Sequence, residues 1–170
     1  MEHFTNPEIS IDSLPKHTEV EFHPISRRYL KKSLIQIGVM CAFFLLGWGI
    51  FAFWVPLPIL QISSLIFLFC LFGFWFWNTV KMQQTYAYAL REKDILYRRG
   101  FILNKITVIP FNRIQHVTIN RDIWDKRLNL STLNIFTAGG SGSDIRIPGL
   151  EPELAMDLKD SLAKKIAVDD

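Results

Sequence analysis

Four cations carry the types and spacing that could recognise a ligand: Arg98, Arg99, Lys105 and Arg113. A guanidinium grips phosphate or carboxylate oxygens as a two-pronged fork, and an ammonium does so as a point charge. They are the candidate headgroup or phosphate contacts of the chain. A second cluster, Arg27, Arg28, Lys31 and Lys32, stands just ahead of a long apolar stretch. Bases in that position set the orientation of a span, and each attracts anionic lipid by about 1 kcal/mol. Setting topology is the simpler account of that second cluster.

Other chemistries find little support. The segment Ala138–Ser143 with Asp144 is rich in glycine but lacks the Lys-Ser/Thr of a phosphate-binding loop. It reads as a turn that needs positive φ. His3, His17 and His23 have no metal-ligand spacing, and His116 stands alone on an expected strand. No serine sits in a nucleophile elbow, and no carboxylate pair has a recognisable partner. Cys41 and Cys70 both fall in apolar segments, where they act as small hydrophobes rather than as a disulfide or zinc framework. The sequence therefore predicts no catalytic residue, no cofactor and no metal. Nucleic-acid binding is also disfavoured, because acids are interspersed among the bases and no aromatic platform alternates with them.

The elements that must position these cations begin with Ser33–Val80, 48 residues without Asp, Glu, Lys, Arg or His. A helix needs roughly 20 apolar residues to cross about 30 Å of hydrocarbon. The stretch breaks at Val55-Pro56-Leu57-Pro58 and gives two spans, residues 35–54 and 59–78, joined by a short turn. A buried hairpin of a soluble protein would need a polar face, and Gln36 and Gln61 are almost the only strongly polar side chains before Asn78. Trp48 and Trp54 lie toward the turn; Tyr29, Trp75 and Trp77 lie toward the opposite headgroup layer. Gly38, Gly47, Gly73, Ser63 and Ser64 are small enough to let the two backbones approach. Neither span carries an ionisable group, so an ion path is unsupported.

The net charge of +3 is unevenly spread. Bases flank the outer ends of both spans, and the Pro turn has none, which places both termini in the cytoplasm of a multi-pass inner-membrane protein. The expected domains are a cytoplasmic N-terminal segment, 1–32, a helical hairpin, 33–80, and a cytoplasmic β-domain, 81–170. Thr18–His23 alternates as an edge strand. Gln84–Leu90 and Ile95–Arg99 form a hairpin about Arg91–Asp94. Phe101–Leu103 and Ile106–Ile109 form a second about Asn104-Lys105. In Arg113–Asn120, Ile114, His116, Thr118 and Asn120 share one face, with Gln115, Val117 and Ile119 on the other. Trp124–Leu130 is a basic, irregular or briefly helical link. Strands at Thr132–Thr137 and Ile145–Ile147 follow, and an amphipathic helix carries Leu154, Leu158, Leu162 and Ile166 every fourth residue. The fold class is a two-helix transmembrane hairpin followed by an all-β barrel or bent sheet capped by a C-terminal helix.

Three runs carry a family resemblance: YALREKDILYRRGFI, VIPFNRIQHVTINRD and LNLSTLNIFTAGGSGSDIRIPGLEPELAMDLKDSL. They resemble the bacterial pleckstrin-homology-like (PH-like) domain of YdbS-type two-span membrane proteins. The likeness covers Thr85–Leu162, the preceding spans and, more weakly, Phe22–Pro24. Its most specific pieces are Ile109-Pro110 with Arg113-Ile114-Gln115, Thr137-Ala138-Gly139-Gly140 and Ile147-Pro148-Gly149-Leu150. One departure is Asn129, where the family has glycine, and asparagine tolerates the left-handed backbone well. The resemblance implies a PH-like domain with a C-terminal helix, no catalytic residues, and a larger YdbT-type membrane protein as companion.

Two functions follow as expectations. The first is a non-enzymatic module that assembles, as a hetero- or homo-oligomer, with a partner membrane protein at the inner face of the membrane. The alternative is a binder of anionic lipid headgroups through its basic face.

Overall fold

The structure, a computed structural model, describes residues 20–138 and 144–168, the last three as backbone. The Gly-rich segment 139–143, His3, His17 and the side chain of Ile166 lie outside the described residues. Two long helices come first, α1 (Arg28–Trp54) and α2 (Pro58–Thr85). At about 1.5 Å per residue each is roughly 40 Å long, so both run past the apolar layer and into the β-domain. Their most apolar windows have mean hydropathies of 2.1 and 2.2, yet almost nothing in them is buried within the protein. A soluble core helix would be covered. These two are covered by lipid or by other spans.

Proline sets the turn between them. Val55 and Leu57 each precede a proline and are both extended, as clash with the following ring demands. Gln61 Nε2 donates to the carbonyls of Ala52 and Val55 at 2.9 and 2.8 Å, satisfying two oxygens at the frayed end of α1. Trp48 Nε1 donates to Ser64 Oγ at 3.0 Å, and Phe44 meets Phe72 edge-on at 5.6 Å. The expected close approach at Gly38, Gly47 and Gly73 does not occur. A Cβ added at any of them would meet nothing within 4 Å. The three glycines are exposed and are not where the helices meet; the contact runs through Trp48, Ser64, Phe44 and Phe72.

The β-domain is two antiparallel sheets. One has the order β1-β2-β3-β4, from His23–Pro24, Ala87–Leu90, Asp94–Arg99 and Lys105–Pro110. The other has the order β5-β6-β7, from Ile114–Asn120, Ser131–Thr137 and Ile145–Leu150. A helix α3 (Ile123–Leu128) links β5 to β6, and α4 (Pro152–Val168) closes the chain. Ile95, Tyr97 and Ile109 of the first sheet share one core with Leu133, Ile135, Ile145 and Ile147 of the second. Ala155, Leu158 and Leu162 of α4 fill the same core. The sheets do not close into a barrel; a bent pair of sheets capped by the helix is what forms.

Several local expectations change. Gln84 and Thr85 end α2, so the strand expected over Gln84–Leu90 starts at Ala87, and the last strand runs through Pro148-Gly149 to Leu150. Phe101–Leu103 is not a strand. Arg99 pairs directly with Lys105, and the residues between them make one turn. A register shift between Ile114 and His116 breaks the alternation of β5, so Ile114 enters the core together with Val117 and Ile119. The N-terminal strand lies at His23–Pro24, pairing with Tyr88 and Ala87, rather than over the whole of Thr18–His23, of which Thr18 and Glu19 are outside the described residues. Asn129 takes the left-handed conformation, φ 53° and ψ 54°, and ends α3.

Candidate functional site

The spans and the β-domain meet at one seam. Ile25 is buried in the domain core, and Ser26 N–H donates to the Gly149 carbonyl at 2.9 Å. Gly149 has φ +71°, and a Cβ there would lie 2.8 Å from Tyr29 Cβ. The Pro148-Gly149 link is therefore the seat on which the start of α1 rests. On the other side Gln83 Nε2 donates to the Ser26 carbonyl at 3.1 Å.

Lys32 completes the seam. It is only 5% exposed, and its Nζ lies 2.6 Å from both Asp122 Oδ2 and Asp125 Oδ1. Asp122 and Asp125 form the capping box at the start of α3, each side chain accepting the other's backbone N–H. Burial works against the charged form of Asp122. The hydrogen bonds from Lys32 and from the Asp125 backbone outweigh it and hold the carboxyl below its ordinary value. One member of the basic run at the start of α1, Lys32, is thus in a structural ion pair, whereas Arg27, Arg28 and Lys31 stay exposed; Arg28 lies 3.9 Å from Glu151.

Beside Lys32 opens a polar cleft of about 300 Å³, lined by Tyr29, Tyr86, Tyr97, Arg99, Arg146 and Pro148 among others. The three tyrosine rings run in file, Tyr29 to Tyr86 at 6.2 Å and Tyr86 to Tyr97 at 6.3 Å. Burial pushes the Tyr97 hydroxyl well above the usual phenol range, with Tyr86 adding to the effect and Arg99 opposing it; burial raises Tyr86 as well. Both stay neutral hydroxyl donors. Arg99 and Arg146 are exposed, and among the described residues neither forms an ion pair. Two guanidiniums beside neutral hydroxyls can hold a phosphate or carboxylate group.

The sequence candidates are scattered about this cleft. Arg99 lines it, and Lys105 is the cross-strand partner of Arg99. Like charges directly opposed cost energy unless an anion lies between them. Arg98 points to the opposite face of β3, where its guanidinium lies 4.7 Å above the Phe22 ring and its Nε is buried without a hydrogen bond. Arg113 is exposed in the turn after β4, at the far end of the sheet from the Arg99–Lys105 pair. His116 stacks on Phe136 at 4.2 Å, and His23 packs near Tyr88. Sequence reasoning counted Arg146 only among the many bases of the β-domain and did not assign the tyrosine file to a site. The Asp122-x-x-Asp125 spacing was the one readable signal for the Lys32 contact. Among the described residues no group of three His, Cys, Asp or Glu could hold a metal ion.

A family model described as "Bacterial PH domain" matches residues 33–166, more than half of the chain, and takes in both apolar spans, strands β2 to β7 and most of α4. The chain belongs to this family. The chain is similar to the UPF0699 transmembrane protein YdbS of Bacillus subtilis (strain 168), with 32% identity over 87 residues. That alignment covers 51% of this chain and 53% of the relative, so about half of each protein is compared. No solved structure matches the chain. The bacterial PH domain here is a membrane protein in which two apolar helices and a PH-like domain share a packed seam.

Proposed function

We propose that this protein is a non-catalytic module of the cytoplasmic membrane, with both termini and the PH-like domain on the cytoplasmic side, that holds an anionic lipid headgroup in the cleft beside Lys32. The orientation is supported by the bases at the outer ends of both helices and their absence from the Pro turn. One observation carries the binding. Arg99 and Arg146 line a cleft with three tyrosines, at the point where α1 leaves the domain for the apolar layer. The acid in the cleft, Asp122, is already engaged by Lys32, so the arginines are left to a ligand. The test is titration of the full chain in mild detergent with a short-chain phosphatidylglycerol and, separately, its phosphatidylcholine counterpart. Saturable binding of the anionic lipid, lost in Arg99→Gln/Arg146→Gln, supports the reading. Equal binding of both lipids counts against it.

A second reading is assembly with a larger, YdbT-type membrane protein that carries several such domains. It is favoured by α2, which has no buried residue along its 28 residues, and by β4, an edge strand with Ile106 and Val108 exposed. Affinity purification of the tagged chain from its native membrane is the test. A stoichiometric multi-span protein supports assembly, and a lone monodisperse chain opposes it.

A further inference from the structure

The three most exposed apolar side chains of the β-domain, among the described residues, lie on elements that touch the spans. Leu103, Ile123 and Ile102 are 83%, 77% and 69% exposed. Leu103 and Ile102 sit in the β3–β4 turn, which leans on α2; Ile123 sits on α3, which Lys32 ties to α1. Adjacent exposed apolar residues beside a membrane helix, such as Ile102 and Leu103, mark a surface that water does not normally cover.

We propose that the β3–β4 turn, residues 100–104, is a wedge inserted into the interfacial layer of the same leaflet that receives the cytoplasmic ends of the spans. Its depth is fixed by contacts with α2. The Phe101 ring meets the Trp77 ring edge-on at 5.6 Å, and Lys81 Nζ lies 5.8 Å from the Phe101 centroid. Trp77 is the last tryptophan of the uncharged stretch and Lys81 the first charge after it, so the turn lies where hydrocarbon gives way to headgroups. Ile102 and Leu103 are the tip. Arg99 and Lys105 flank it, Lys81 lies beside Phe101, and residues 98–105 contain no acid, which suits an anionic leaflet. The shape of the turn is fixed by Gly100. Its φ is +97°, and a Cβ there would fall 2.1 Å from the Leu103 carbonyl oxygen. The wedge does not rest on headgroup binding in the cleft; only Arg99, which flanks the turn and lines the cleft, is common to both, and the apolar tip meets another part of the lipid.

The experiment uses the full chain, with Cys41→Ala and Cys70→Ala, in nanodiscs of phosphatidylcholine and phosphatidylglycerol. An environment-sensitive fluorophore is attached through Ile102→Cys or, for comparison, through Asn112→Cys in the exposed turn after β4. The expected result is a blue-shifted Ile102 label that is quenched by lipids doxylated near the headgroup and shielded from iodide, with an Asn112 label quenched by iodide alone. An Ile102 label as accessible to iodide as the Asn112 label overturns the proposal. So does one shielded from iodide but untouched by doxyl lipids, which would mean that protein covers the turn. Both labelled positions are exposed, so neither substitution disturbs the core. Loss of lipid binding in Arg99→Gln/Arg146→Gln with normal doxyl quenching at position 102 would separate this proposal from that of the cleft.

Discussion

Lys32 Nζ lies 2.6 Å from the carboxylate of Asp125, with both residues almost fully buried, 93 positions apart in sequence. The contact joins the first span to the helix between β5 and β6, so the hairpin and the PH-like domain are one packed body at that point. Removing the lysine alone leaves a buried carboxylate unpaired. Lys32→Met should therefore cost about 3–5 kcal/mol, whereas adding Asp125→Asn should restore most of the loss. Denaturant unfolding of the two variants and the parent in one detergent checks this. Additive losses would show that the pair is not coupled.

Asp122 gives the seam a pH dependence. Its folded carboxyl is held below the ordinary value of 3.8. The stability this lends is fully present above that value and is lost as pH falls through the lowered one. Thermal unfolding of the parent should lose more on acidification below about pH 4 than that of Asp122→Asn, which has no such proton to take up. Parallel curves for the two proteins would contradict the ion pair.

Gly149→Ala should weaken the same seam by another route. The residue must hold φ +71°, and the new methyl would lie 2.8 Å from Tyr29 Cβ. A left-handed alanine costs about 1–2 kcal/mol before any clash. A lowered unfolding midpoint is expected, and Tyr29→Ala, which keeps the opposing Cβ, should not recover it. The same substitution at Gly47, where a Cβ meets nothing within 4 Å, should be neutral or slightly stabilising.

Gln61 tests the turn between the spans. Its amide serves the carbonyls of Ala52 and Val55. Gln61→Leu should cost about 1–2 kcal/mol, because those oxygens lose their donors. Forced unfolding of the hairpin in a bilayer is the measurement, and Gln36→Leu serves as a comparison with no such bond.

The spans were legible because charge is absent over a length that only a bilayer explains, and the Val55–Pro58 break because proline acts on its neighbours locally. Most strand positions were legible from alternation. The phase of β5 was not, because a bulge near Gln115 is invisible to a period-two pattern. Nor was the Arg99–Lys105 turn, since Phe-Ile-Leu reads as a strand when its burial is unknown. The candidate site was legible only in its cations. Which of them converge depends on contacts between distant segments. Arg99 and Arg146 are brought to one cleft by two different sheets, while neighbouring Arg98 is turned away by the pleat. The glycines of the spans misled for a similar reason: small residues permit close packing, but which face of the helix meets its neighbour depends on the whole contact.

Native mass spectrometry of the full chain, released from mild detergent with equal phosphatidylglycerol and phosphatidylcholine present, tests the central claim most directly. The account predicts one anionic lipid retained in preference to the zwitterionic one, with that preference abolished in Arg99→Gln/Arg146→Gln and kept in Arg113→Gln. Retention without headgroup preference, or a preference unchanged by the double substitution, would contradict it.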